Sequence, residues 1–459
     1  MKITCVGAGP AALYLSILAR LDRSDHEITL VERDPRGATY GWGVTYWPDT
    51  LAALERHDPV SAARIRDSSL IWGDGEAHVR GRIVRHAGDS GYAVGRHRLL
   101  EILSDRAREL GVRIEYEREL DAAAPLPDAD LVVAADGMHS QVRSRHAREF
   151  GTRVTHGANR FLWLGTTKVF TTFGFSFVET PHGWIWCYAY GYTPSQSTCV
   201  VECSEATWRG LGFEGLGRDE CLRLLEGHFS QFLEGHSLTS RGEPRWQSFR
   251  TVVNASWAHG NVVLIGDAAH TTHFSIGAGT ALAFQDAIAL ARQLRTVPAG
   301  QSLGEALGAY ERERMRALLP VQSAARLSAQ WYENLPRYAA LPPEQMFALL
   351  GQRHSPVLPH VPPRLYYALD QLVTQTRWLR PVKRRLGHGL SRVLQRRHLA
   401  PAARLPQQDT AARPVGRPDA RTPGAGAEPA REGAGPTRPD AAPAGAAGSH
   451  FDGPPHQPQ

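Results

Sequence analysis

The chain begins with a short apolar run, Ile3–Val6, which breaks at glycines and gives way to an apolar-rich stretch from Leu13 to Leu21. That order predicts a buried strand, a tight turn and a helix. A second apolar strand is expected at Ile28–Val31, a helix over Leu99–Leu110, a strand over Val112–Tyr116 and a buried strand over Asp130–Ala135. From Phe161 to Cys203 the pattern changes to aromatic and β-branched residues in short runs separated by turns, which predicts a second, largely β layer. The run Val262–Ile265 restores the first pattern, and a long helix is expected from Gly279 to about Leu294. The first layer is therefore read as discontinuous, with the β layer inserted into it. The expected segments are 1–160, including a small β excursion near 70–95, then 161–255, 256–330, a helical segment 331–400, and a tail 401–459.

Composition sharpens this division. With 459 residues, 42% of them hydrophobic, the chain can bury a substantial core in two or three domains. The tail is rich in Pro, Ala, Gly and Arg and nearly devoid of large apolar residues, so it is expected to be disordered. The net charge of +6 is accounted for by Arg377, Arg380, Lys383, Arg384, Arg385, Arg392, Arg396 and Arg397. Their spacing with Leu379, Val382, Leu386, Leu390, Val393 and Leu394 predicts an amphipathic basic helix, read chiefly as a solvated face. The remainder is slightly acidic, which argues against a nucleic-acid-coating surface. Five cysteines without CxxC spacing suit reduced, buried thiols rather than a disulfide framework. No apolar stretch reaches the length of a membrane span, and the first strand starts at residue 3, so a soluble cytoplasmic protein without membrane insertion is expected.

Three separated segments carry the candidate chemistry. Gly7, Gly9 and Ala12 occupy a strand-to-helix turn where backbone can approach a pyrophosphate, and Glu32, beside Arg33, stands at the offset from which a carboxylate reaches a ribose hydroxyl. Asp136 and Gly137 follow the strand Asp130–Ala135, and Gly266 and Asp267 follow Val262–Ile265. A second GxGxxG, Gly210 to Gly215, does not emerge directly from a buried strand and is read as a loop. His270 and His273 lack a third ligand, so no metal is expected.

These motifs resemble the FAD-dependent aromatic hydroxylases of the para-hydroxybenzoate hydroxylase type. Gly7–Ala12 with Glu32 is similar to their adenosine-binding fingerprint, Asp136, Gly137, Ser140 and Arg143 to a segment contacting flavin and nicotinamide, and Gly266–His270 to the ribityl and pyrophosphate segment. Thr39–Val44 and His270–Gly277 look like a subgroup that includes salicylyl-CoA 5-hydroxylase and the hydroxylase half of anthraniloyl-CoA monooxygenase. Val201–Glu205 is similar to the violacein-pathway tryptophan hydroxylase. The resemblance implies an α/β Rossmann-like FAD-binding domain with an inserted β-rich substrate domain. It further implies FAD, NADPH or NADH as co-substrate, and hydroxylation of an aromatic ring through a flavin hydroperoxide. Arg96 matches the flavin-contacting arginine, and Gly277 and Gly279 let backbone approach the isoalloxazine. Trp163, Trp184, Trp186, Tyr188 and Phe274 are the expected water-excluding pocket, although many such rings simply pack a core. His273 is the candidate for orienting or deprotonating substrate. The family's Asn is replaced by Ala281 and its Pro by Phe274, leaving an apolar pocket edge. An aryl-CoA thioester is the leading small-molecule substrate. Indole or tryptophan hydroxylation, and a redox-silent FAD-binding interaction protein, stay open; a halogenase ranks low because Trp184-Ile185-Trp186 lacks the following Ile-Pro.

Overall fold

Burial on both faces explains the first sheet, whose strands run in the order Ala258–His259, Val262–Leu264, Leu131–Ala134, Lys2–Val6, Glu27–Val31 and Arg113–Glu115. The computed structural model describes residues 1–86, 90–120, 125–297 and 300–375; the basic segment 377–397 and the tail 401–459 lie outside the described residues. Every residue of Leu131–Ala134 is buried, as a parallel strand covered on both sides requires. Lys2–Val6 pairs in parallel with Glu27–Val31 on one side and Leu131–Ala134 on the other. The chain thus changes its direction of spread at this strand, and the crevice beyond its carboxyl end is where α/β sheets receive ligands. Helix Pro10–Asp22 packs on helix Gly279–Leu294, with the Tyr14 and Phe284 rings edge to face at 5.1 Å.

An eight-stranded sheet forms the second layer. Leu238–Thr239, Arg153–Thr166, Gln196–Ser204, Gly183–Thr193, Phe173–Thr180, Gly75–Val79 and Arg82–His86 lie side by side, with Gln247–Val253 also paired to Arg153–Thr166. The excursion near 70–95 contributes two of these strands, and Arg153–Thr166 starts ahead of the aromatic run. Because strand side chains alternate, Trp184, Trp186, Tyr188, Tyr190 and Tyr192 share one face with Val200, whereas Ile185, Cys187, Ala189, Cys199, Val201 and Cys203 share the other. Trp331 and Tyr332, from helix Leu303–Glu333, and helices Leu335–Ala339 and Pro343–Gly351 cover the first face. Helices Arg218–His228 and Ser230–Leu233 cover the second. All five cysteines are buried free thiols.

A three-stranded sheet, Gly43–Tyr46, Gly91–Gly95 and Leu70–Trp72, stitches the layers together. The Gly43 amide donates to Thr198 Oγ1 at 2.9 Å, and Tyr190 donates its hydroxyl to the Gly43 carbonyl at 2.9 Å. No helix among the described residues is long and apolar enough to cross a membrane. The Gly210–Gly215 motif follows helix Glu205–Gly210 and has Gly212 and Gly215 at positive φ, a turn rather than a strand-to-helix phosphate loop.

Candidate active site

Gly7 follows the first strand with φ +95°, and a Cβ there would lie 2.5 Å from the Ala135 carbonyl oxygen. Glycine is therefore needed for the ends of Lys2–Val6 and Leu131–Ala134 to meet. Gly9 caps helix Pro10–Asp22 in extended conformation, and no protein atom lies within 4 Å of its Cβ position. Ala12, one turn on, is fully buried. Glu32 accepts the Ala8 amide on Oε2 at 2.7 Å and the Asp34 amide on Oε1 at 3.0 Å. Its carboxylate is oriented by backbone, yet each oxygen retains a lone pair for a ribose hydroxyl. Arg33 is exposed beside Asp34.

Asp136 Oδ2 accepts the Gln141 and Val142 amides at 2.7 and 3.3 Å, and Ser140 caps the same short helix, Gln141–Arg145. Its Oδ1 is buried without a partner among the described residues. Gly137 has φ +77° and open space around its Cβ position. Arg143, which the sequence grouped with ligand contacts, is buried and used internally. It donates to Met138 O at 2.7 Å and to Ala268 O at 3.1 Å, tying the Asp136 segment to the Gly266–Ala268 turn.

Asp267 lies on that turn with its side chain open to solvent but closely surrounded by protein, the situation of a cleft wall. Burial raises its pKa, against the opposing pull of His270, Arg96 and Arg143. Arg96 opens helix Arg96–Glu109 and donates to the Tyr40 carbonyl at 3.1 Å. Burial lowers its pKa while Asp267 and Glu32 act to raise it. The three motifs, separated by more than a hundred residues, therefore face one another across this cleft, with Arg96 between two of their carboxylates.

Behind the cleft stands a charged cluster that sequence patterns did not reveal. Asp286, with no exposed surface, accepts the Gly266 amide at 2.9 Å, faces His270 Nε2 at 2.9 Å and accepts Arg314 Nε at 2.7 Å. Burial pushes its pKa up, but His270 and Arg314 outweigh that effect and hold it low. His270 also stacks on Trp257 at 4.9 Å, so it belongs to this support rather than to a metal pair with His273. Asp286 and Arg314 sit on helices where a charge ordinarily marks a solvated face, and no local spacing announces their meeting. Elsewhere among the described residues, His146, Glu149 and His259 bring ligand atoms within 4.8 Å of one another.

The following loop carries His273, Phe274, Gly277 and Gly279. Gly277 has φ +60°, and a Cβ would lie 2.7 Å from Thr45 Oγ1; around Gly279, at the start of helix Gly279–Leu294, space is open. His273 Nδ1 lies 2.8 Å from Ser275 Oγ, which in turn lies 2.7 Å from Ser328 Oγ. Arg353, absent from every motif, donates to Ser328 Oγ at 3.1 Å and to the Ser275 carbonyl at 3.0 Å. Burial, helped by Arg353, lowers the His273 pKa to about 3. The imidazole is thus neutral at physiological pH, able to orient a partner but a weak base.

Of the five expected pocket aromatics, Tyr188 and Phe274 come together at 6.3 Å, and Phe161 joins Phe274 at 4.6 Å. Trp163 is partly buried and lies against Gly41, where a Cβ would clash with its ring. Trp186 is stacked under Tyr332 at 5.8 Å and Trp184 lies beneath the Arg80 guanidinium, positions that pack the layer.

These features fit FAD: the open Cβ positions at Gly9, Gly137 and Gly279, the unpartnered Asp136 Oδ1, and the backbone-anchored Glu32 form a cradle for a dinucleotide. The FAD binding domain family model matches residues 127–323. The chain is 37% identical over 346 residues to salicyloyl-CoA 5-hydroxylase of a Streptomyces species, covering 74% of this chain and 66% of that relative, so it spans just under two thirds of that protein's length. It is 36% identical to 3-hydroxy-4-methyl-anthranilyl-(aryl-carrier protein) 5-monooxygenase of Streptosporangium sibiricum, over 73% of this chain and 90% of that one. Among solved structures, 2-methyl-3-hydroxypyridine-5-carboxylic acid oxygenase superposes with a TM-score of 0.57 at 21% identity, over 73% of this chain and 91% of that one, a likeness of fold.

Proposed function

The chain belongs to the FAD-dependent aromatic monooxygenases, and from that premise we propose that it hydroxylates an aromatic ring presented as an aryl thioester. The observation that carries this reading is the ring cluster beside the His273–Gly279 loop. Phe161, Tyr188 and Phe274 meet there, and the neighbouring Tyr190 hydroxyl is already committed to the Gly43 carbonyl. Arg353, which bonds that loop at Ser275, spends its nitrogens on Ser328, Leu350 and Ser275. A free aromatic carboxylate would exchange its hydration here for neutral donors alone, a cost that a neutral thioester carbonyl avoids. The two relatives, named for a CoA thioester and a carrier-protein-linked substrate, agree with this.

Bound FAD, reduced by NADPH or NADH, supplies the electrons and the oxygen activation for ring hydroxylation. The protein's part is positioning and exclusion. Glu32 would hold the adenosine ribose; Asp136 and Asp267 would accept hydroxyl donors along the cofactor; Gly9 and Gly279 leave backbone amides at helix N-termini, where developing negative charge is stabilised. Phe161, Tyr188 and Phe274 keep water from the reacting ring. Neutral His273 presents Nε2 to a ring hydroxyl or amine and orients it. The test is oxygen uptake and hydroxylated product from the purified, FAD-loaded protein with salicylyl-CoA, anthraniloyl-CoA, their free acids and tryptophan. Turnover of a thioester with none of its free acid is expected; turnover of tryptophan or of free acids alone would overturn the substrate assignment.

A further inference from the structure

The segment that follows Asp136 ends in a turn whose side chains the cofactor cradle does not use. Helix Gln141–Arg145 gives way to His146, and Glu149 follows three residues on. The Phe150 amide donates to the His146 carbonyl at 3.0 Å, one helical turn that sets His146 and Glu149 on the same side. His259 comes from far along the chain, on the edge strand Ala258–His259. One ligand atom from each of the three lies within 4.8 Å of the other two.

Backbone bonds, not the attraction of these groups for one another, bring them together. The Ala255 and Ser256 amides donate to the Phe150 carbonyl at 2.8 and 3.1 Å. Glu311 Oε2 accepts the Trp257 and Ala258 amides at 2.7 and 3.2 Å, anchoring the edge strand from helix Leu303–Glu333. Phe150, fully buried, lies edge to face with both imidazoles at 6.2 and 6.4 Å, and the two imidazoles are 5.7 Å apart. The scaffold is therefore formed before any ligand arrives.

The donors themselves are unspent. His146 Nε2 is buried without a partner, and among the described residues no side-chain hydrogen bond or ion pair engages Glu149 or His259. A ring nitrogen left so costs free energy until something binds it. Two imidazoles and one carboxylate are a donor set for zinc, whereas calcium and magnesium select oxygen ligands. In a tetrahedral zinc site the ligand atoms stand roughly 3.3 Å apart. Closing from 4.8 Å asks Glu149 and His259, both exposed, to swing inward by up to about 1.5 Å. Arg145 and Arg148, exposed nearby in sequence, disfavour a cation held by charge alone, so coordinate bonds must carry the affinity.

We infer that His146, Glu149 and His259 bind a zinc ion through three protein ligands, with the fourth position left to water. His259 pairs with Val262, at the opposite end of strand Val262–Leu264 from the Gly266–Asp267 turn, so the site is separate from the flavin cleft. The ion cross-links the helix that holds Asp136 to the strand pair that leads to Asp267.

The test uses FAD-loaded, full-length protein without a histidine tag, cleared of metal with a chelator and titrated calorimetrically with Zn2+. One saturating equivalent is expected. His259→Gln and Glu149→Gln should each weaken it by at least about tenfold, a loss that even the outer partners of metal ligands produce. Amide hydrogen exchange across residues 141–151 should slow on adding Zn2+ to the wild type and in neither variant, while Mg2+ and Ca2+ leave it unchanged. Retained flavin absorbance in the variants separates lost metal binding from misfolding. The absence of saturable binding would overturn the assignment. So would zinc affinity that is unchanged in both variants, which would place the ion on other histidines.

Discussion

Glu202 offers a quantitative check on how dry the aromatic layer is. It lies on strand Gln196–Ser204, opposite Trp186 on one neighbour and Phe161 on the other, and is only 2% exposed. Oε1 accepts from Asn159 Nδ2 at 2.7 Å, while Oε2 has no partner among the described residues. Burial is the main reason that its pKa rises from an ordinary 4.5 to about 8, with nearby Glu333 adding to it and Asn159 and Trp186 opposing it. The folded protein thus holds a proton that the unfolded chain releases above pH 4.5. Stability falls as pH rises from 4.5 towards 8 and levels off beyond, by roughly 3–4 kcal/mol between pH 5 and pH 9. Glu202→Gln keeps an acceptor for Asn159 and cannot ionise. All other groups titrate alike in both proteins, so the difference in unfolding free energy isolates this one. Urea denaturation at pH 5, 7 and 9 should show the Gln variant gaining on wild type by about 3–4 kcal/mol across the series. A difference that stays constant within about 1 kcal/mol would mean that Glu202 ionises freely, so that water or a donor reaches Oε2 and the layer is wet.

Other substitutions probe the cofactor framework. Gly7→Ala places a methyl group 2.5 Å from Ala135 O at a positive φ; the purified protein should lose its flavin absorbance, with stability reduced by at least about 1–3 kcal/mol from backbone strain alone. Asp286→Asn strips Arg314 and His270 of their shared carboxylate and should cost about 3–5 kcal/mol in thermal or urea unfolding, as expected for a broken buried pair. With a His273 pKa near 3, the kcat profile should show no limb from this residue between pH 5 and 8. His273→Gln should lower kcat without altering the profile's shape, and the disappearance of a limb near pH 6.5 in that variant would show instead that the imidazole titrates as a base.

The cofactor side of the site was legible because it depends on backbone. Gly7, Gly137 and Gly277 stand where side chains would collide or the dihedrals turn positive, so geometry forces residue identity into the sequence. Alternation along Gly183–Thr193 likewise announced the aromatic face. What that pattern does not encode is which rings touch a cavity: Trp186 and Tyr188 share a face, yet Tyr332 covers one and Phe274 meets the other. That division is made by helix Leu303–Glu333, far along the chain. The strand excursion near 70–95 joins the second sheet for the same reason, since parallel pairing of Gly75–Val79 with Phe173–Thr180 is a long-range event with no local signature. Asp286, Arg314, Glu202 and Arg353 were missed because a lone charged residue looks the same in sequence whether it meets water or a buried partner.

The missed residues explain why the visible ones work. A glycine-rich turn alone is floppy, and its conformational entropy would have to be lost on each cofactor binding. Here the Gly266 amide is fixed by Asp286, the Ala268 carbonyl by Arg143, and the Ala269 carbonyl by Asn254 at 2.6 Å. Asp136 is fixed by the helix it caps and Glu32 by the Ala8 amide. The carboxylates that face the cleft are therefore oriented before any ligand arrives, and the buried Asp286–His270–Arg314 cluster acts as their foundation rather than as a source of net stability. It follows that disturbing the foundation and disturbing the cradle should differ in kind: Asp286→Asn lowers stability and flavin affinity together, whereas Glu32→Gln weakens flavin binding in a chain that unfolds much as before.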